Sequence, residues 1–208
     1  MIQNKTNFGR KLSTMVAAVM LASVAAMSLV CCSEKTHKYR IGISQCSDDS
    51  WRQKQNSEFR FMSYINDSVE VDIKSAKDNN AQQAAQIDSL VDEGIDLLVV
   101  CPNQLDGVTK AIERAYDKGI PVIFFDRTTN SNKYTAFIGC DNYRIGFDLG
   151  TYIANQLNGS GRVVEIRGLN NSSPAKGRHE GFVDALKNYP DVKIVASEGA
   201  DWEQTGAE

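Results

Sequence analysis

The sequence predicts an α/β protein built as doubly wound parallel sheets in two lobes. Three observations carry that prediction. Short unbroken apolar runs, LLVV at 97–100 and VIFF at 122–125, read as strands buried on both faces of a parallel sheet. Segments of helical period separate the runs, so strand and helix alternate. Polar and charged residues gather just past the strand ends, where open α/β sheets place their ligands. The stretch 119–127, GIPVIFFDR, is organised around such a strand: a glycine and a proline punctuate its start, and Asp126-Arg127 closes it.

The elements follow in order. Residues 39–44, YRIGIS, form a first strand. The polar loop 45–50 leads into a helix near Trp51, which Asp48, Asp49 or Ser50 can cap. Its apolar positions read Trp51, Phe59, Met62 and Ile65, with Gln55 on the same stripe. VEVDI at 69–73 alternates as a second strand. A helix over 79–93 ends at Gly94. The third strand, 97–100, stops at Pro102, and Val108, Ile112, Ala115 and Tyr116 give the next helix its apolar face. After the 122–125 strand come a polar turn, a strand over 134–140 and a helix over 143–157. A strand over 163–167, a helix from Pro174 to Asn188 and a strand over 192–196 restart the rhythm. A further helix is expected after Trp202. The expected lobes are 38–140 and an incomplete 141–208. Regular βαβ spacing implies right-handed crossovers.

Residues 1–32 read as an export signal. Lys5, Arg10 and Lys11 precede a small apolar run from Leu12 to Val30, the n- and h-regions of a secretory signal. Cys31 and Cys32 follow at once, in a pattern that resembles a bacterial lipobox and makes either one a candidate for lipidation. A plainly cleaved signal and an uncleaved anchor are the other readings. All three place the rest of the chain outside the cytoplasm, at the cell envelope, with the membrane reached only through this N-terminus.

Composition narrows the function. The chain has 42% hydrophobic and 24% charged residues, which excludes disorder, and a net charge of −3 gives no case for a nucleic-acid partner. There is no glycine-rich dinucleotide fingerprint and no phosphate-binding loop motif. With only two histidines and no CxxC spacing, neither a metal nor a cofactor is expected. No Ser-His-Asp or Cys-His arrangement marks an enzyme. Cys46, Cys101 and Cys140 each fall at or just past a strand end. Two of them can pair at a sheet edge in an oxidising compartment, or all can be small buried fillers.

The segments leaving the strand ends supply the candidate ligand residues: Ser44, Asp48, Asp49, Trp51 and Arg52; then Asn103; then Asp126 and Arg127; then Asp141; then Arg178; then Trp202. Planar donors and carboxylates bracket hydroxyls, and indole rings stack on a sugar face, so a small polyol or monosaccharide fits. Structural roles stand beside these. Asp126-Arg127 can be a self-satisfied pair, Trp51 the first core residue of its helix, Asp141 a helix cap, Arg178 a solvated side chain. His179 reads as a surface residue.

Taken together, YRIGISQCSDDSWR, GIPVIFFDR, FIGCDNYRIGFDLGTYIA, SSPAKGRHEGF and EGADWEQ resemble the type I periplasmic sugar-binding proteins, the ribose-binding-protein family. The resemblance runs from Tyr39 to the last residue. It implies a two-lobed protein closing on a monosaccharide, with Asp126 and Arg127 on sugar hydroxyls, Arg178 reaching in from the second lobe and Trp202 stacking. SDDSWR replaces the Asn-Pro-Phe-Phe-like segment of ribose binders, which points to another sugar. The partner implied is the permease of a sugar ABC transporter. SQCSDDSWR is also similar to the sensor domains of hybrid two-component systems, which makes a sensor-kinase partner the alternative. Measured against the family the second lobe is short, so the chain is expected to be a fragment. A repressor-type effector domain is disfavoured by the export signal.

Overall fold

The computed structural model describes residues 38–208; the expected export signal, with Cys31 and Cys32, lies outside them. Strand β1 (Tyr39–Gln45) is followed by α1 (Ser50–Ile65), β2 (Val69–Ser75), α2 (Asn80–Asp92), β3 (Leu97–Val100), α3 (Thr109–Asp117), β4 (Val122–Phe125) and β5 (Ala136–Ile138). These strands make one sheet of five in the order β2-β1-β3-β4-β5, every pair parallel. Then come α4 (Asn142–Gln156), β6 (Ser160–Arg167), α5 (Ser173–Leu186), β7 (Asp191–Gly199) and the short α6 (Gln204–Ala207). β6 and β7 form a second parallel sheet of two strands. Among the described residues no helix is long and apolar enough to cross a membrane.

The apolar runs bury as their composition demands. Leu98, Val100, Val122 and Phe124 are fully buried against Ile87 and Leu90 of α2 and Ala111, Ile112 and Ala115 of α3. Burial of one such side chain is worth about 1.5–3 kcal/mol, so this cluster fixes where the strands end. The second sheet has a smaller cluster of Ala154, Leu186 and Val192. Along β6 exposure alternates: one face packs on the helices, while Val164 and Ile166 point outward. Helices α4 and α5 touch backbone to backbone. A Cβ on Gly146 would lie 2.0 Å from the Arg178 carbonyl oxygen, and one on Gly181 would lie 2.0 Å from that of Tyr143. Only glycine permits that approach.

Three expectations change. The inward stripe of α1 is not the apolar one: its buried residues are Arg52 and Asn56, while Trp51, Met62 and Ile65 are exposed. The charged residue faces in because Asp126 and Gln55 receive its guanidinium, so an apolar pattern alone mistakes the face. β5 spans only three residues, Ala136–Ile138, with Thr135 just before it bonded to Val122 of β4 through its N–H as donor and its hydroxyl oxygen as acceptor. His179 is half-buried rather than a surface residue, with Nδ1 2.8 Å from Glu165 Oε2.

Candidate functional site

Between the carboxyl ends of β1, β2 and β4 and the loops of the second sheet lies a cleft of about 680 Å³, large enough for one monosaccharide. Its floor is the turn after β4. Arg127 N–H donates to the Phe125 carbonyl at 2.7 Å, and Asp126 stands at φ +64°. That is a γ-turn in the left-handed region, strained for any residue with a Cβ. The turn splits its two side chains. Asp126 does not pair with Arg127; its carboxylate accepts from Arg52 at 2.5 Å. Arg127 donates instead to the Asn103 carbonyl at 3.0 Å.

Strain recurs around the rim. Lys77 and Asp78, at φ +48° and +62°, are the central pair of a turn closed by Asn79 N–H on the Ala76 carbonyl. Asp201 and Trp202, at φ +49° and +69°, are the central pair of another, closed by Glu203 N–H on the Ala200 carbonyl. Both have the mirror-image turn geometry that normally selects Asn and Gly. Six non-glycine residues have positive φ among the described residues, and all but Asn158 line this cleft. Such strain persists where surrounding structure imposes it, and it clusters at functional sites.

The electrostatics disfavour an anionic guest. Four cations, Arg52, Lys77, Arg127 and Arg178, face a larger set of carboxylates, so an anion gains no net attraction. The Nε–H groups of Arg52 and Arg127 are buried and have no protein partner; an orphaned buried donor is costly unless something accepts from it. Asp49 caps α1 by accepting from Arg52 N–H at 2.9 Å and receives the Ser47 hydroxyl at 2.5 Å. Burial pushes its carboxyl up, but these hydrogen bonds outweigh that and hold it below the usual range. At Asp78 burial wins, and the carboxyl is raised.

Trp202 covers the mouth. Its indole lies over Gly168, where a Cβ would sit 2.3 Å from the ring. The guanidinium carbons of Arg127 and Arg178 stand 5.9 and 5.8 Å from its centre, within cation–π range. Arg178 is oriented by donating to Asn142 at 2.9 Å. Contacts tie the two sheets' loops together: Thr128 N–H donates to Ser173 Oγ and Leu105 N–H to the Asn171 carbonyl, both at 2.9 Å.

Of the residues singled out in the sequence, Asp48, Asp49, Trp51, Arg52, Asp126, Arg127, Arg178 and Trp202 line the cleft. Trp51 is 65% exposed, so it is no core residue. Ser44 and Asn103 lie outside the lining. Both are buried beneath it and held by Gln83, whose amide donates to Ser44 Oγ and accepts from Asn103 N–H. Asp141 caps α4 by accepting from Arg144 N–H and borders an adjoining hollow that shares Asp126. Sequence reasoning missed Ser47, Lys77, Asp78, Asp201 and Glu203. The polar AKDNN segment directly after β2 was the available signal for the second and third.

The family model described as periplasmic binding protein domain matches residues 43–208. The xylitol-binding protein of Mycolicibacterium smegmatis is 24% identical over 201 residues, covering 94% of this chain and 57% of its own length. The ribose import binding protein RbsB of Salmonella typhimurium is 30% identical over 133 residues, covering 64% of this chain and 45% of its own. Among solved structures, the fructose-binding periplasmic domain of hybrid two-component system BT1754 is 47% identical with a TM-score of 0.77, covering 81% of this chain and 56% of its own. The chain therefore spans about half the length of the relatives it matches, and those relatives are binding proteins. Its parallel sheets, its cleft at the strand ends and this match over most of its length make the chain a member of the periplasmic binding protein domain family, extracytoplasmic proteins of the type I fold.

Proposed function

We propose that this protein binds a monosaccharide in the cleft above Asp126 and Arg127, outside the cytoplasm. The observation that carries the proposal is the convergence there of strained backbone, Arg52, Arg127 and Arg178 beside the Asp126 carboxylate, and an indole face. Asp126 accepts from sugar hydroxyls while Arg52 holds its charge. Arg127 and Arg178 donate, and Trp202 stacks on the apolar face of the ring. The protein then serves as the solute-binding component of a sugar import system, with a membrane permease as partner. A lipid on Cys31 or Cys32 holds it at the membrane, a point checked by the mass of the N-terminal peptide.

One observation favours a second role. The xylitol-binding and ribose import binding proteins named above match at 24% and 30%, whereas the periplasmic domain of a hybrid two-component system matches at 47%. Under this reading the domain reports sugar to a kinase, and fructose is the first ligand to test. Thermal melting of the chain with fructose, ribose, xylitol and galactose tests the binding itself, since a ligand of the folded state raises the melting temperature. A shift with one sugar supports the proposal and names the ligand; no shift with any sugar at millimolar concentration overturns it.

A further inference from the structure

The cleft rests on two sulfur atoms that sugar binding does not use. Cys46 follows β1, and Cys101 follows β3, the neighbouring parallel strand. Their sulfurs are 3.6 Å apart, and both residues are buried. The backbones are already tied, with Cys101 N–H donating to the Ser44 carbonyl at 2.9 Å. By the register Ser44↔Val100 the two cysteines lie one residue out of step on neighbouring strands, and a strand spacing of about 4.8 Å with a rise of about 3.3 Å keeps such a diagonal pair inside the Cα separation a disulfide spans. The third described cysteine, Cys140, is exposed and serves as an internal control.

The two thiols are chemically unequal. The Cys101 S–H hydrogen bond pulls Cys46 down to about 6 against the pull of burial, helped by Arg127 and Arg52. Burial pushes Cys101 up. A thiolate beside a thiol is the arrangement that exchanges with disulfides. The pair also touches the candidate sugar residues: Cys101 Sγ is 4.0 Å from Asp126 Oδ2, the carboxylate oxygen that Arg52 holds.

We propose that Cys46 and Cys101 are a redox-active dithiol that closes into a disulfide beneath the cleft and so sets how firmly Arg52, Asp126 and Arg127 hold a sugar. The oxidant is a disulfide of the extracytoplasmic space. Both thiols are buried once the chain has folded, so the exchange runs while the exported chain folds or opens: Cys46 thiolate attacks the oxidant, forming a mixed disulfide and expelling one thiolate. Cys101 loses its proton to solvent and attacks Cys46 sulfur, expelling the second. Two protein thiols become one disulfide, and one oxidant disulfide becomes two thiols. Closure removes the thiolate that competes for the two arginines, and both then turn to the ligand. The cross-link stands on the cysteines alone; its effect on affinity rests on the proposed sugar site.

The full chain, exported and trapped with N-ethylmaleimide at harvest, is digested without reductant. The expected result is one linked peptide pair carrying Cys46 and Cys101, with Cys140 alkylated. Dithiothreitol is expected to free both, lower the melting temperature by roughly 5–10 °C and weaken fructose binding about threefold to tenfold. Cys46→Ala and Cys101→Ala should each abolish the response of affinity to reductant. Both cysteines recovered unlinked would overturn the proposal. An unaltered affinity on reduction, or a response that survives Cys46→Ala, overturns the coupling to the site. A linked pair in a chain that binds no sugar upholds the cross-link and overturns the sugar reading instead.

Discussion

The two sheets bring different resources to one cleft. In the five-stranded sheet, Phe124 and Val100 are fully buried directly below the turns that carry Asp126 and Asn103. The site residues there stand on strand ends anchored in a large apolar cluster. In the two-stranded sheet the buried cluster is Ala154, Leu186 and Val192, and Val164, Ile166 and Val195 face outward. Arg178 and Trp202 are held instead by a glycine seam between helices and by a strained turn. The cleft therefore rests on two kinds of support: packing under the aspartate and arginines, and backbone geometry under the tryptophan.

The sharpest way to break that contrast is to cut each core. Phe124→Ala should cost about 3–5 kcal/mol, because a large buried ring leaves a cavity. Leu186→Ala, at 8% exposure in a cluster of three, should cost about 2 kcal/mol, the low end of the leucine range. Chemical denaturation of the two variants measures both. Equal losses would mean the two halves share one cooperative core.

The seam gives the next effect. Gly181→Ala forces a methyl against the Tyr143 carbonyl, and overpacking of this kind costs about 1–3 kcal/mol. Gly177→Ala, whose Cβ would lie 3.1 Å from Asn142 Cβ and 3.3 Å from Tyr143 N, meets looser contacts and should cost less than Gly181→Ala, since alanine also recovers about 1 kcal/mol of helix propensity. If both variants melt alike, the close approach of the helices is not what holds the second half.

The same contrast explains what the sequence made legible. Apolar runs such as VIFF and LLVV were legible because they are short and bounded by turn residues, which favours a strand over a helix; one face is fully buried, while Leu97, Ile123 and Phe125 are only half-buried. The alternation of elements and the polar strand ends followed from that. Arg52 was visible as a site candidate, yet its helix was oriented by its apolar stripe, which faces solvent at Met62 and Ile65. A half-buried ion pair with Asp126, seventy-four residues away, leaves no mark on local periodicity. The turns at Lys77-Asp78 and Asp201-Trp202 were hidden for a related reason. Their residues do not have the Asn-Gly chemistry that announces positive φ, so only the folded backbone reveals them.

At the site, a buried arginine and an exposed one should part ways. Arg127 is 7% exposed, and Arg127→Ala should weaken sugar binding about 10- to 100-fold, since a desolvated charge-assisted donor is lost. Arg127→Lys should not rescue it, because a point charge does not replace a planar fork. Arg178→Ala, in an exposed position, should cost about two- to fivefold. Titration calorimetry with the sugar that shifts the melt reads all three, and an Arg178 effect as large as that of Arg127 would make the second half an equal partner in recognition.

The smallest effect concerns the cap that aims α1 at the cleft. Asp49 accepts from Arg52 N–H and from the Ser47 hydroxyl, and its carboxyl is held below its ordinary value despite the opposing pull of burial. A carboxylate whose folded value is depressed contributes stability that is complete above its unfolded value, near 4, and lost as pH falls through the lower folded one. Asp49→Ala should therefore cost about 1 kcal/mol at neutral pH and progressively less below pH 4. Asp49→Asn keeps a cap acceptor but has no charge to lose. It should melt near the parent at pH 7 and lack that part of the acid-side slope. If the asparagine variant loses as much as the alanine variant at pH 7, charge rather than hydrogen bonding holds the first turn of α1, and the aim of Arg52 at Asp126 depends on electrostatics from both ends of its helix turn.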